Sequence, residues 1–127
     1  MAARIREVIV DCHAPDAVAG FWAGALGRVV QQYPGGVHFL AAADEDDRGP
    51  LLVFVPERAP RAGRNRLRLA IGPADGTLED EVTRLTALGA TVLESGEGGV
   101  PFVMLADPEG NEICVLGAAQ DAAGTEP

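Results

Sequence analysis

The stretch "LADPEGNEICVL", residues 105–116, decides how the rest of the chain is read. At its centre Asp107-Pro108-Glu109-Gly110-Asn111 supplies the proline and glycine that a tight turn requires. Short apolar runs stand on either side, "PFVML" (residues 101–105) and "NEICVL" (residues 111–116), so the stretch predicts two strands joined by that turn.

Upstream, "NRLRLAI" (residues 65–71) predicts a strand, and Thr77 can cap a helix whose first turn holds Glu79, Asp80 and Glu81. The helix carries an apolar stripe of Leu78, Val82, Leu85 and Leu88 and ends in "ALG" (residues 87–89), before a strand in "ATVLE". The first half has the same order. "RIREVIVD" (residues 4–11) alternates as a strand does, and Pro15 and Asp16 open a helix. Its apolar residues Val18, Phe21, Trp22, Ala25 and Leu26 share one face, and it too ends in "ALG" (residues 25–27). Strands "RVVQQY", "VHFLAAA" and "PLLVFV" follow, separated by the Pro34-Gly35-Gly36 turn and the acidic loop 44–49. The chain therefore predicts an α+β fold in which βαβββ occurs twice, over residues 4–55 and 64–117, joined by "PERAPRAG" (residues 56–63). The segment 118–127 has no apolar periodicity and is expected to be a mobile tail.

Composition narrows the function. At 127 residues the chain fits one compact domain that needs no disulfide staples. Cys12 and Cys114 are too few and too far apart for a disulfide framework or a zinc ligand pair, and both are expected to be reduced and buried. A net charge of −9 argues against a nucleic-acid partner. All ten basic residues are arginine, which excludes Schiff-base lysine chemistry and the P-loop lysine. No apolar run is long enough for a membrane helix, and the charged start "MAARIREVIVDC" does not read as a signal peptide, so a cytoplasmic protein without a membrane partner is expected.

The residues "FWAGALG" (21–27), "NRLRL" (65–69), "EVTRLTALGATV" (81–92) and above all "LADPEGNEICVL" make the chain similar to the vicinal oxygen chelate superfamily, in its glyoxalase-like and bleomycin-resistance-like branch. The similarity spans residues 4–117. It implies a glyoxalase/bleomycin resistance/dioxygenase-type fold, with two βαβββ modules curled around a concave cleft and usually assembled as a homodimer. In metal-using members the first and last strands of each module contribute one ligand each, typically His, Gln or Glu, and the ion chelates two substrate oxygens.

Alternation places those four positions here. On the first strand Val8 and Val10 are expected to face the helix, leaving Ile5, Glu7 and Ile9 toward the cleft; Glu7 could ligate a metal, but alone. The position on the fourth strand falls at Val53 or, one residue on, Phe54, and neither donates. On the fifth strand Leu67, Leu69 and Ile71 are expected to meet the helix and Arg66, Arg68 and Ala70 the cleft. Arg68 then stands where relatives carry histidine, and a guanidinium has no lone pair to offer. Cys114 stands at the position of the last ligand, and a cysteine and a glutamate facing an arginine do not suit Mg, Mn, Fe or Ni. No metal and no other cofactor is expected. An ion pair between Glu7 and Arg68 is the expected replacement; if buried, it would orient Arg68 toward a ligand carboxylate, enolate or carbonyl.

His38, on the third strand, and His13, after the first, could each act as a general base, but neither has a sequence-local carboxylate partner. Ser95 in "SGEGG" lacks a nucleophile-elbow context, and no helix follows that glycine-rich loop to bind phosphate. The expected ligand-contact set is Glu7, Ile9, Phe54, Arg66, Arg68, Phe102, Met104 and Cys114, with Glu7, Arg68 and His38 as candidates for catalysis. These residues point to a protein that holds a small organic molecule in a metal-free cleft, as a sequestering protein does. The alternatives are a metal-independent lyase, isomerase or cyclase, a metal-dependent glyoxalase or dioxygenase, and a scaffold whose cleft has collapsed.

Overall fold

The computed structural model describes residues 1–61, 63, 65–94 and 102–117. They fall into two compact units, residues 1–61 and 62–127, divided inside the expected linker. The expected tail 118–127 and the loop around Ser95 lie outside the described residues.

In the first unit β1 (Glu7–Cys12) leads into α1 (Pro15–Leu26), followed by β2 (Val29–Tyr33), a short 3₁₀ turn at Pro34–Gly36, β3 (Val37–Ala41) and β4 (Leu51–Pro56). The strands form one sheet in the order β1-β4-β3-β2, with β1 parallel to β4 and the other pairs antiparallel. Helix α1 buries Val18, Ala19, Phe21, Trp22 and Ala25, and the Phe21 and Trp22 rings meet edge to face at 5.5 Å. The helix stops where Gly27 takes the left-handed conformation, φ 67° and ψ 37°, which costs a glycine little.

Beyond that stop Arg28 turns inward, its side chain only 7% exposed. Its Nε and Nη2 donate to the two carboxylate oxygens of Asp47 at 2.6 and 2.9 Å, and Nη1 donates to the Pro50 carbonyl at 2.9 Å. The acidic loop is thereby latched to the end of α1. Hydrogen bonding from Arg28 holds the Asp47 carboxyl below its ordinary range. A carboxylate with a depressed folded-state pKa adds stability above its unfolded value, near 3.9, and loses it as the pH falls further. Asp47→Asn is therefore expected to lower stability by about 1 kcal/mol at neutral pH, and by much less near about pH 3. Urea denaturation at both pH values checks this.

The second unit has β5 (Leu69–Ile71), α2 (Leu78–Leu88), β6 (Thr91–Glu94), β7 (Phe102–Ala106) and β8 (Glu112–Leu116), in the sheet order β5-β8-β7-β6, with β5 parallel to β8. Thr77 caps α2 as expected: its hydroxyl accepts from the Asp80 N–H while the Asp80 carboxylate accepts from the Thr77 N–H.

Two expectations for this unit are corrected. Leu88 is 40% exposed, and the buried residues of α2 are Leu85 and, one turn before it on the same face, Glu81. A carboxylate is tolerated there because Arg84 neutralises it, donating to both oxygens at 2.9 and 2.8 Å. The strand expected over residues 65–71 begins only at Leu69, and Leu67 is 88% exposed instead of meeting the helix. At the first residue of β8, the Glu112 N–H donates to the side-chain oxygen of Asn65 at 3.1 Å; a side chain takes the donor that a longer β5 would use.

Candidate functional site

The turn before β8 is built around Asp107, which is 3% exposed. One carboxylate oxygen accepts the N–H groups of Glu109 and Asn111, both at 2.9 Å, and the other accepts the Asn111 side-chain amide at 2.9 Å. Gly110 closes the turn with φ 86° and donates to the Asp107 carbonyl. Asn65 adds a bond to the Asn111 side chain at 3.4 Å, tying the segment ahead of β5 to the same turn. These bonds fix where β8 starts and hence which of its side chains share a face.

In β8 that alternation separates Glu112, Cys114 and Leu116 from Ile113 and Val115. The registers place Ala70, Cys114 and Met104 in one row across β5, β8 and β7, with Phe102 opposite Leu116. The other face holds Leu69, Ile113 and Leu105 in the corresponding row. Cys114 is 2% exposed. Burial pushes its thiol above the ordinary range, and the positive charge of Arg68 works in the opposite direction. Arg66 and Arg68 are exposed, just ahead of β5.

In the first unit, register puts Ile9, Val53, Phe39 and Gln31 in one row across the sheet. Glu7 stands two residues before Ile9, opposite Leu51. This face is apolar and open: Ile9 is 62% exposed, Val29 and Tyr33 are exposed too, and the Tyr33 and Phe39 rings stack at 4.7 Å. The next row, Val10, Phe54, His38 and Gln32, belongs to the opposite face, against which α1 packs.

That register places two of the expected residues away from the open face. Phe54 is fully buried with Leu40 and Leu52 in the core, so the open-face position on β4 is Val53. His38 lies in the Phe54 row and not with Glu7, and its Nδ1 is 3.2 Å from the Gly36 carbonyl. His13 is held at 2.9 Å from the Ala59 carbonyl, after β4. Glu7 and Arg68 are both exposed. Phe39 and Glu112 also belong to these faces: alternation from Cys114 reaches Glu112, whereas Phe39 follows only from its register with Val53. A cavity of about 300 Å³ beside the Arg28–Asp47 latch is lined by Leu26, Gly27 and the acidic loop, and none of the expected ligand-contact residues lines it.

The residue types at the four expected ligand positions do not fit a divalent ion. Val53 and Arg68 have no lone pair for one, and burial pushes the Cys114 thiol up, away from the thiolate that a metal needs. Among the described residues no group of three or more His, Cys, Asp or Glu comes together to hold a metal.

The fold and the turn before β8 can now be set beside known proteins. A family description, "Glyoxalase-like domain", matches residues 7–116. The chain belongs to this glyoxalase-like family. This family is consistent with the resemblance to the vicinal oxygen chelate superfamily, and the α+β fold agrees with the solved structures that the chain resembles. An enzyme of the glyoxalase/bleomycin resistance protein/dioxygenase family from Burkholderia phytofirmans PsJN superposes with a TM-score of 0.69 at 17% identity, covering 89% of this chain and 97% of that one. A glyoxalase-related enzyme from Fulvimarina pelagi gives 0.65 at 16%, covering 91% and 88%. A possible glyoxalase from Bacillus cereus gives 0.65 at 18%, covering 91% and 99%. At such identities these glyoxalase-like relatives share the fold alone. No curated protein matches the chain with significance. Among the described residues no helix of this glyoxalase-like protein is long and apolar enough to cross a membrane.

Proposed function

We propose that this glyoxalase-like protein binds a small organic molecule without a metal ion, and that it does so as a homodimer. The observation that carries the reading is Cys114. At the position where metal-using relatives are expected to place a ligand, the strand presents a small thiol in a row with Ala70 and Met104, and burial pushes that thiol's pKa up. The positive charge of Arg68 near this thiol disfavours a cation, while small and apolar side chains leave room for an organic body.

Native mass spectrometry of the protein as purified, followed by denaturing analysis, tests the reading. The expected result is a dimer without stoichiometric divalent metal, from which any bound molecule is released unchanged. Cys114→Glu alone is expected to add no metal, because Val53 and Arg68 remain. One divalent ion per chain in the unmodified protein would overturn the reading.

A further inference from the structure

Five of the ten arginines fall between residues 58 and 68, a stretch without a single acid, in a chain whose net charge is −9. Two of them, Arg66 and Arg68, stand just ahead of β5, the strand that pairs with β8. Elsewhere Arg28 and Arg84 are committed to Asp47 and Glu81, but among the described residues neither Arg66 nor Arg68 has an ion pair, and both are exposed. Their backbone is not loose. Asn65 anchors it to Asn111 and to the Glu112 N–H, and Leu69 begins the β5 ladder.

Arg68 stands immediately ahead of β5, two residues before Ala70, whose partner across the ladder is Cys114. Its charge is felt at the Cys114 thiol. A guanidinium presents a planar fork that matches the two oxygens of a carboxylate or phosphate. The surplus of nineteen acidic residues repels a polyanion at long range, whereas a small anion meets the local positive charge within a Debye length of about 8 Å.

We infer that Arg66 and Arg68 form an anion-recognition site, and that the molecule taken on the Cys114 face is an organic anion. Its carboxylate or phosphate lies on the guanidinium groups and its apolar body against exposed Ala70 and half-buried Phe102. This inference rests on the metal-free reading above and names the class of its ligand.

Calorimetric titration and thermal shift with benzoate, phenyl phosphate, inorganic phosphate and neutral benzamide test it. Benzoate or phenyl phosphate is expected to bind at least about tenfold more tightly than benzamide, and the tighter of the two identifies the anionic group. Binding is expected to weaken in high salt. Arg68→Met is expected to weaken it about tenfold, while Arg48→Met, an exposed arginine of the acidic loop, leaves it unchanged. Benzamide binding as tightly as benzoate, or an Arg68→Met variant that binds like the parent, would overturn the inference and leave the metal-free reading standing. Inorganic phosphate matching phenyl phosphate would overturn the apolar half. Failure of all four probes at about 10 mM, an affinity too weak for a built site, would overturn the inference and the organic-ligand reading together.

Discussion

Truncating Phe54 to alanine is expected to cost about 3–5 kcal/mol, the range for removing a large aromatic side chain from a packed interior. The ring has no solvent exposure, sits between Val10 and His38 on the sheet face under α1, and has fully buried Leu40 in the same core. Urea denaturation should show the midpoint falling with little change in slope. Phe54→Leu is expected to recover most of the loss, because it refills much of the cavity. Binding of an organic anion per folded molecule is expected to be the same in both variants. Had Phe54 lined the ligand face, truncation would have cost little stability and much affinity, so the two readouts separate the positions.

The second large effect is at Asp107. Asp107→Ala removes the acceptor of three hydrogen bonds at a site that is 3% exposed, leaving two backbone N–H groups and the Asn111 amide to find new partners. A loss of about 2–4 kcal/mol follows if each orphaned donor costs about 1 kcal/mol. Asp107→Asn keeps one oxygen for the two backbone donors but turns an amide toward the Asn111 amide, and is expected to recover about half of the loss. Denaturation measures the stability. Amide exchange in β8 provides the control, because a local role predicts faster exchange at Ile113 to Val115 before the sheet opens globally.

Much of this architecture was legible because its elements repeat strong local signals. The two "ALG" helix ends, the Thr77 cap and the proline-glycine turn before β8 depend on nearest neighbours, and nearby sequence suffices to read them. Register was harder. Choosing between Val53 and Phe54 required knowing which residue of β4 stands opposite Ile9 and Val10, a pairing across more than forty positions that a one-residue slip inverts. The face of His38 is set by the same pairing, since it stands opposite Phe54. The early end of β5 was hidden because "NRLR" alternates like a strand, while the competitor for its hydrogen bond, Asn65, acts through its side chain at Glu112. Glu81 was hidden because its burial depends on Arg84, three residues away, taking its charge.

In each unit the first strand pairs with the last: β1 lies beside β4 and β5 beside β8. This order has a consequence for how the chain is made. While residues leave the ribosome in sequence, α1 can form early and β2 can fold back with β3, but β1 has no strand to pair with until residues 51–56 emerge. The second unit repeats the delay, with β5 waiting for residues 112–116. Each sheet is therefore completed by its longest-range pairing, the slow kind of step in folding, and the nascent protein passes twice through a stage with an apolar strand edge exposed.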